Sequence, residues 1–187
     1  MLVKPAPVAK TAPAAVHLTK AELAQWTGLY RDPITDQMMN LSATDTSLTA
    51  GGANVLVPLG GAHFRMPAGE ASFIRANGRK AFVLVRVMGD SNHFEEIAPA
   101  PTKVTLADYV GRYVSDELDV ELNIIVHEGK LMLVRRPEES MDLRPSYLDG
   151  FVSPLGSLRF TRDARGAVSG FGIFSSRALD IRFKRAK

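Results

Sequence analysis

The chain repeats itself. Thr19, Lys20, Leu23, Gly28, Tyr30, Asp36, Asn40 and Leu48 recur 83 positions later as Thr102, Lys103, Leu106, Gly111, Tyr113, Asp119, Asn123 and Leu131. The offset then moves to 87, setting Phe64, Pro67, Gly69, Phe73 and Arg75 against Phe151, Pro154, Gly156, Phe160 and Arg162. One further slip pairs Gly78 with Gly166. The centre of the pattern is Tyr109-Val110-Gly111-Arg112-Tyr113, whose earlier form is Trp26-Thr27-Gly28-Leu29-Tyr30. Self-similarity at a fixed period means one structural unit used twice, so the 187 residues read as two domains of roughly 80 residues each. Domains that small bury limited surface alone and are expected to pack on each other or on a partner.

The divisions fall at proline. Residues 1–18 carry Pro5, Pro7 and Pro13 among alanines, a composition for an extended, semi-rigid linker. A linker at an N-terminus suggests that the chain is the tail of a longer protein. Ala98-Pro99-Ala100-Pro101 is the second linker, which places the domains at 19–97 and 102–187.

Thr19 stands at an N-cap ahead of Lys20–Trp26, with Glu22 three residues on as in a capping box. The second copy has Thr105 where the box needs Glu or Gln, yet Leu106–Tyr109 still allows one helical turn before Gly111. Beyond these turns the pattern is strand after strand. Val120-Glu121-Leu122-Asn123-Ile124 alternates with period 2, the signature of a half-buried strand. His127-Glu128-Gly129-Lys130 reads as a four-residue hairpin connection, with the polar Thr44–Ser47 as its counterpart. Asn77-Gly78 is a strong turn signal, matched by Asp163–Gly166. Gly170 and Gly172, inside an otherwise apolar strand, predict a bend such as small barrels need. The expected fold is all-β: two tandem, antiparallel, eight-stranded barrels, closed so that no sheet edge is left open.

Several chemistries are excluded by residue type. There is no cysteine, hence no disulfide, thiolate metal ligand or thiol nucleophile. No Ser-x-x-Lys, Gly-x-Ser-x-Gly or Tyr-x-Asn occurs, and His17, His63, His93 and His127 are too scattered for a metal site. His127-Glu128-Gly129 matches His-x-Gly in form but lies in the expected hairpin turn. Gly51-Gly52 and Gly60-Gly61 precede no helix and do not make a phosphate cradle. Nothing calls for a cofactor. The net charge of +3 is spread over both halves, 9 basic and 8 acidic groups in residues 1–99, 14 and 12 in residues 100–187. That balance speaks against nucleic acid as a partner. The one basic run, Arg182–Lys187, reads as a solvated strand end. No apolar run reaches the length of a membrane span, and the compartment stays open.

The order Tyr109-x-Gly111-x-Tyr113, the strand Val120–Ile124 and the string Phe160-x-Arg162, Gly166, Val168, Gly170-Phe171 resembles the C-terminal β-barrel module of serine β-lactamase-like hydrolases. Two such modules in tandem are similar to the region after the catalytic domain of D-aminopeptidases in the penicillin-recognising group. The resemblance implies a lipocalin-like barrel per copy and a non-catalytic accessory region. Such a region would pack on a catalytic domain of the same parent chain and shape access to its active site or its assembly. A second copy of the chain is a further candidate partner. The segment Arg136–Pro145, proline-bounded and unlike its counterpart, is the expected contact loop, with Arg136, Glu138, Glu139, Met141 and Arg144 as contact residues. The alternative is a barrel holding a small apolar ligand, as lipocalins do. Large residues at Leu122, Ile124, Leu131 and Phe171 favour a filled interior over a cavity.

Overall fold

Sixteen strands close into two barrels in a computed structural model that describes residues 14–76, 78–136, 139–175 and 178–186. The first barrel runs β1 (Gly28–Arg31), β2 (Met38–Ala43), β3 (Leu48–Ala50), β4 (Asn54–Gly60), β5 (His63–Met66), β6 (Gly69–Ala76), β7 (Arg79–Arg86) and β8 (Ser91–Ile97). The second runs β9 (Gly111–Ser115), β10 (Val120–His127), β11 (Lys130–Arg136), β12 (Glu139–Tyr147), β13 (Gly150–Ser153), β14 (Gly156–Arg162), β15 (Val168–Phe174) and β16 (Ile181–Arg185). Each strand pairs with its sequence neighbour, and the last closes on the first: Leu29 faces Ile97, and Val114 faces Lys184. The expected all-β architecture is the observed one.

A short helical turn precedes each barrel. Helix α1 (Lys20–Ala24) has the complete capping box, with Thr19 and Glu22 bonded reciprocally. Its counterpart is the 3₁₀ turn Leu106–Tyr109, whose Thr105 makes no side-chain cap, as the missing Glu or Gln implies. The β10–β11 connection is tighter than the sequence suggests. His127 pairs with Lys130, so the turn is only Glu128-Gly129, with φ of 49° and 73°. Left-handed backbone at both positions is the type I′ geometry that matches strand twist. Thr44–Ser47 is a four-residue connection, closed by Thr44 N–H donating to the Ser47 carbonyl at 2.8 Å. Asn77 lies outside the described residues.

Interior positions follow the repeat. Tyr30 and Tyr113, Leu48 and Leu131, Phe64 and Phe151, and Phe73 and Phe160 are all buried. Phe73 lies 5.3 Å from Phe64, 5.3 Å from Trp26 and 4.7 Å from Phe82 between ring centroids. In the second barrel Phe160 lies 5.5 Å from Phe151, 4.8 Å from Tyr109 and 5.1 Å from Phe171, which stacks on Phe183 at 4.9 Å. Each such pair adds about 0.5–1.5 kcal/mol beyond burial. Leu122, Ile124, Leu131, Leu133, Leu143 and Leu158 complete the second core.

The repeated Gly69 and Gly156 mark where strands cross most closely. Their φ values are 150° and 128°, and a Cβ would run into the carbonyl oxygen of Val85 in one copy and Phe174 in the other. The bend predicted in β15 is present. The β14–β15 register slips between Thr161 and Arg162, and a Cβ on Gly170 would meet the Phe183 carbonyl oxygen. Gly156→Ala should therefore lose more than about 2 kcal/mol, combining backbone strain with the clash. Gly166→Ala, at φ 81° but facing open space, should lose about 1 kcal/mol. Urea denaturation of the two variants measures the difference.

Candidate functional site

By compactness the chain divides into two units, Met1–Thr27 with Leu41–Asn92, and Gly28–Asn40 with His93–Lys187. The second unit thus holds the whole second barrel together with β1, the 32–37 connection, the start of β2 and β8 from His93 on. That connection carries the most deeply buried carboxylate among the described residues. Asp32 opens it as an Asx turn, its carboxylate accepting from the N–H groups of Ile34 (2.8 Å) and Thr35 (3.2 Å). The turn ends at Asp36, whose φ of 56° is matched by 52° at its repeat partner Asp119. Asp119 is exposed, whereas Asp36 is 0% exposed.

Burial sets the electrostatics around Asp36. The Tyr147 hydroxyl donates to Asp36 Oδ1 at 2.6 Å, and Arg31 and Arg159 approach the same oxygen at 3.4 and 3.6 Å. Asp36 Oδ2 and Arg31 Nε are buried without a hydrogen-bond partner among the described residues. Arg159 also donates to the Pro33 carbonyl at 3.1 Å and lies over the Phe174 ring, while Arg31 lies over Tyr147. Desolvation pushes the Asp36 carboxyl above its ordinary 3.8, opposed by the Tyr147 hydrogen bond and the two arginines. Desolvation and the neighbouring carboxylate push the Tyr147 phenol up as well. A carboxylate sealed from solvent has no route to a substrate, so this cluster anchors the 32–37 connection.

A second cluster surrounds Tyr109 in the repeated motif. Its hydroxyl donates to Asp149 Oδ1 at 2.8 Å, and Arg162 holds the same carboxylate through Nε at 3.0 Å and Nη2 at 2.8 Å. Burial, then Asp149, pushes the phenol up to about 12, too high to act as a base near neutral pH. Arg162 lies 5.5 Å over the Tyr109 ring, the arrangement Arg75 makes over Trp26 at the same distance. Arg162 and Arg75 sit two residues after Phe160 and Phe73, and period 2 puts each arginine on its phenylalanine's face, at the barrel end. The carboxylate is new in the second copy, since offset 87 sets Asp149 against Ala62.

Cations also cap the carbonyls that each helical turn leaves open. In the first unit Arg75 donates to the Gln25 carbonyl at 3.1 Å, and Lys80 to that of Thr27. In the second, among the described residues Arg185 serves both equivalent carbonyls, Asp108 at 3.2 Å and Val110.

The expected contact segment is not a loop. Residues 139–147 form β12, which pairs with β11, so a paired strand stands over most of the irregular connection read from Pro137 and Pro145. Pro145 is accommodated at a register shift, as proline in a sheet requires. Arg136, Glu139 and Arg144 are exposed on this hairpin, with Glu139 3.8 Å from Arg135 and 3.9 Å from Arg136. Met141 is half-buried opposite Leu133, on the face that carries Leu143. Alternation along the strand turns it inward. Glu138 lies outside the described residues. His127 is exposed beside the tight turn.

Two hollows open on β14–β16 of the second barrel. One, of about 550 Å³, lies over Gly170 and Gly172 between Arg159 and Thr161 on one side and Arg182 and Lys184 on the other. The other, of about 330 Å³, lies beside the 3₁₀ turn. Among the described residues no group of three or more His, Asp or Glu is placed to hold a metal ion, and no helix is long and apolar enough to cross a membrane. The chain matches no family model and no curated protein sequence.

Tyr147→Phe should cost about 1–3 kcal/mol, because it removes the shorter hydrogen bond to the buried Asp36 carboxylate and leaves the longer one from Arg31. Asp36→Asn should be neutral or stabilising at pH 7. A raised pKa means that the folded state binds the proton more tightly, so Asp36 contributes most at low pH, and that contribution is lost as pH rises through its folded pKa. Any advantage of Asp36→Asn over wild type should therefore shrink between pH 7 and about pH 4. Chemical denaturation across that range checks the sign.

Proposed function

We propose that the chain is a non-catalytic interaction module whose barrels are scaffolds and whose outer faces and turns meet a partner. A serine β-lactamase-like, D-aminopeptidase-like catalytic domain is the partner that the sequence resemblance names, and shaping access to its active site or its assembly is the role. The observation that carries the reading is the filled interior. Tyr113, Phe160, Phe171 and Phe183 occupy with leucines the volume where a lipocalin-like barrel would hold a ligand. That filling counts against the apolar-ligand alternative.

The surface supports the same reading. Val87 and Met88, at the turn after β7, are 82% and 92% exposed, an apolar pair that a partner surface would cover. Arg136, Glu139 and Arg144 offer a polar contact on the β11–β12 hairpin. The tyrosines and carboxylates with the most specific geometry, Tyr109 with Asp149 and Tyr147 with Asp36, are committed to one another.

The purified chain should hydrolyse neither D-aminoacyl amides nor β-lactams. Turnover that survives purification and disappears on replacing one serine would overturn the non-catalytic reading. Parentage is tested separately by sequencing upstream of the codon for Met1. A continuous frame encoding Ser-x-x-Lys and Tyr-x-Asn within a few hundred codons supports the hydrolase parent, and an in-frame stop without them sinks it.

A further inference from the structure

The two hollows on β14–β16 differ in one electrostatic respect. In the larger, every basic side chain already has a carboxylate: Arg159 has Asp36 at 3.6 Å, Arg182 has Asp180 at 2.8 Å, and Lys184 has Asp116 at 2.6 Å. The cations of that groove are thus neutralised, by Asp180 in its lining and by Asp36 and Asp116 from outside it. In the smaller, Arg162, Arg165 and Arg185 share one concavity with Asp108, Gly166 and Val168. Arg162 is paired with Asp149 at 2.8 Å and Asp108 at 3.6 Å. Arg165 and Arg185 make no ion pair among the described residues.

Arg185 is half-buried and donates only to main-chain carbonyls, those of Asp108, Val110 and Val168. Carbonyl dipoles orient a guanidinium without cancelling its charge, and arginine cannot shed its proton. Arg165 is exposed and held in place from behind. Asp163 accepts the N–H groups of Arg165 and Ala167, each at 2.9 Å, and its carbonyl accepts from Gly166 at 2.9 Å. The turn is thus fixed by the Asp163 carboxylate and by main-chain bonds, and the Arg165 side chain is left to face the hollow. Two uncompensated guanidiniums in a concave, partly desolvated site form the arrangement that planar oxyanions complete, through paired, charge-assisted hydrogen bonds.

We propose that this hollow binds a small oxyanion, a carboxylate or phosphate group, between Arg165 and Arg185, with Arg162 as the third wall. Asp108 at the edge, already tied to Arg162, leaves the opening to the other two arginines. The chemistry fits either a free anion or an acidic side chain of a partner polypeptide. The site stands whether or not the chain belongs to a hydrolase.

The test titrates the full chain, at fixed ionic strength, with inorganic phosphate and separately with an acetylated, amidated peptide bearing two adjacent glutamates. Binding is followed by arginine side-chain NMR and calorimetry. Saturable binding of at least one probe is expected, weakened about tenfold or more by Arg165→Glu and unchanged by Arg182→Glu in the neutralised groove. Arg165 lies on an exposed turn held by main-chain bonds, so its variant should fold. Arg185 also caps carbonyls and is left intact. Tighter binding of phosphate assigns the site to a free anion, and tighter binding of the peptide to a partner's acidic side chain. No saturable binding of either probe, or equal losses in both variants, overturns the proposal.

Discussion

The tilted and edge-on ring contacts of one phenylalanine organise each barrel. Phe160 meets Tyr109, Tyr113, Phe151 and Phe171, and Phe73 meets Trp26, Phe64 and Phe82. Because rings prefer tilted and edge-on contact, one ring fixes the spacing of the opening turn and the strands it touches. The arginine two residues on then falls over the opening aromatic ring, where a cation is attracted to the π face. An aromatic, a glycine and a tyrosine at the start, with Phe-x-Arg much later, form one packing unit that sequence separates by about fifty positions. That is why those residues recur together.

The architecture was legible because a repeat and period-2 alternation report backbone and burial, and both are local. The aspartate repeated as Asp36 and Asp119 proves to hold a left-handed backbone in both copies. What the repeat could not report is environment. Asp36 is buried by Tyr147, Ser157 and Arg159, more than a hundred positions away, whereas Asp119 faces water. The backbone conformation was inherited by both copies; the burial belongs to one.

The misread segment failed for a related reason. Two prolines around Arg136–Pro145 imply a loop on local grounds, but an edge or bulge position tolerates proline inside a sheet. The barrel takes up Pro145 at a register slip and turns Met141 inward. Polar residues on that hairpin then read as the outward half of an alternation. Likewise the run Arg182–Lys187, the one basic cluster in the sequence, is divided by the pleat over Arg182–Arg185. Arg182 and Lys184 find carboxylates on the outer face, and Arg185 turns to the barrel end.

Capping of the helical turns shows how far the duplicated halves have separated. Lys80, on β7, serves the Thr27 carbonyl, whereas the matching Val110 carbonyl is served by Arg185, on β16. The same vacancy is filled from different strands. A hybrid barrel that took its seventh strand from one copy and its eighth from the other would inherit two caps or none. The copies have ceased to be exchangeable parts, although the same tyrosine, leucine and phenylalanines are still buried in both.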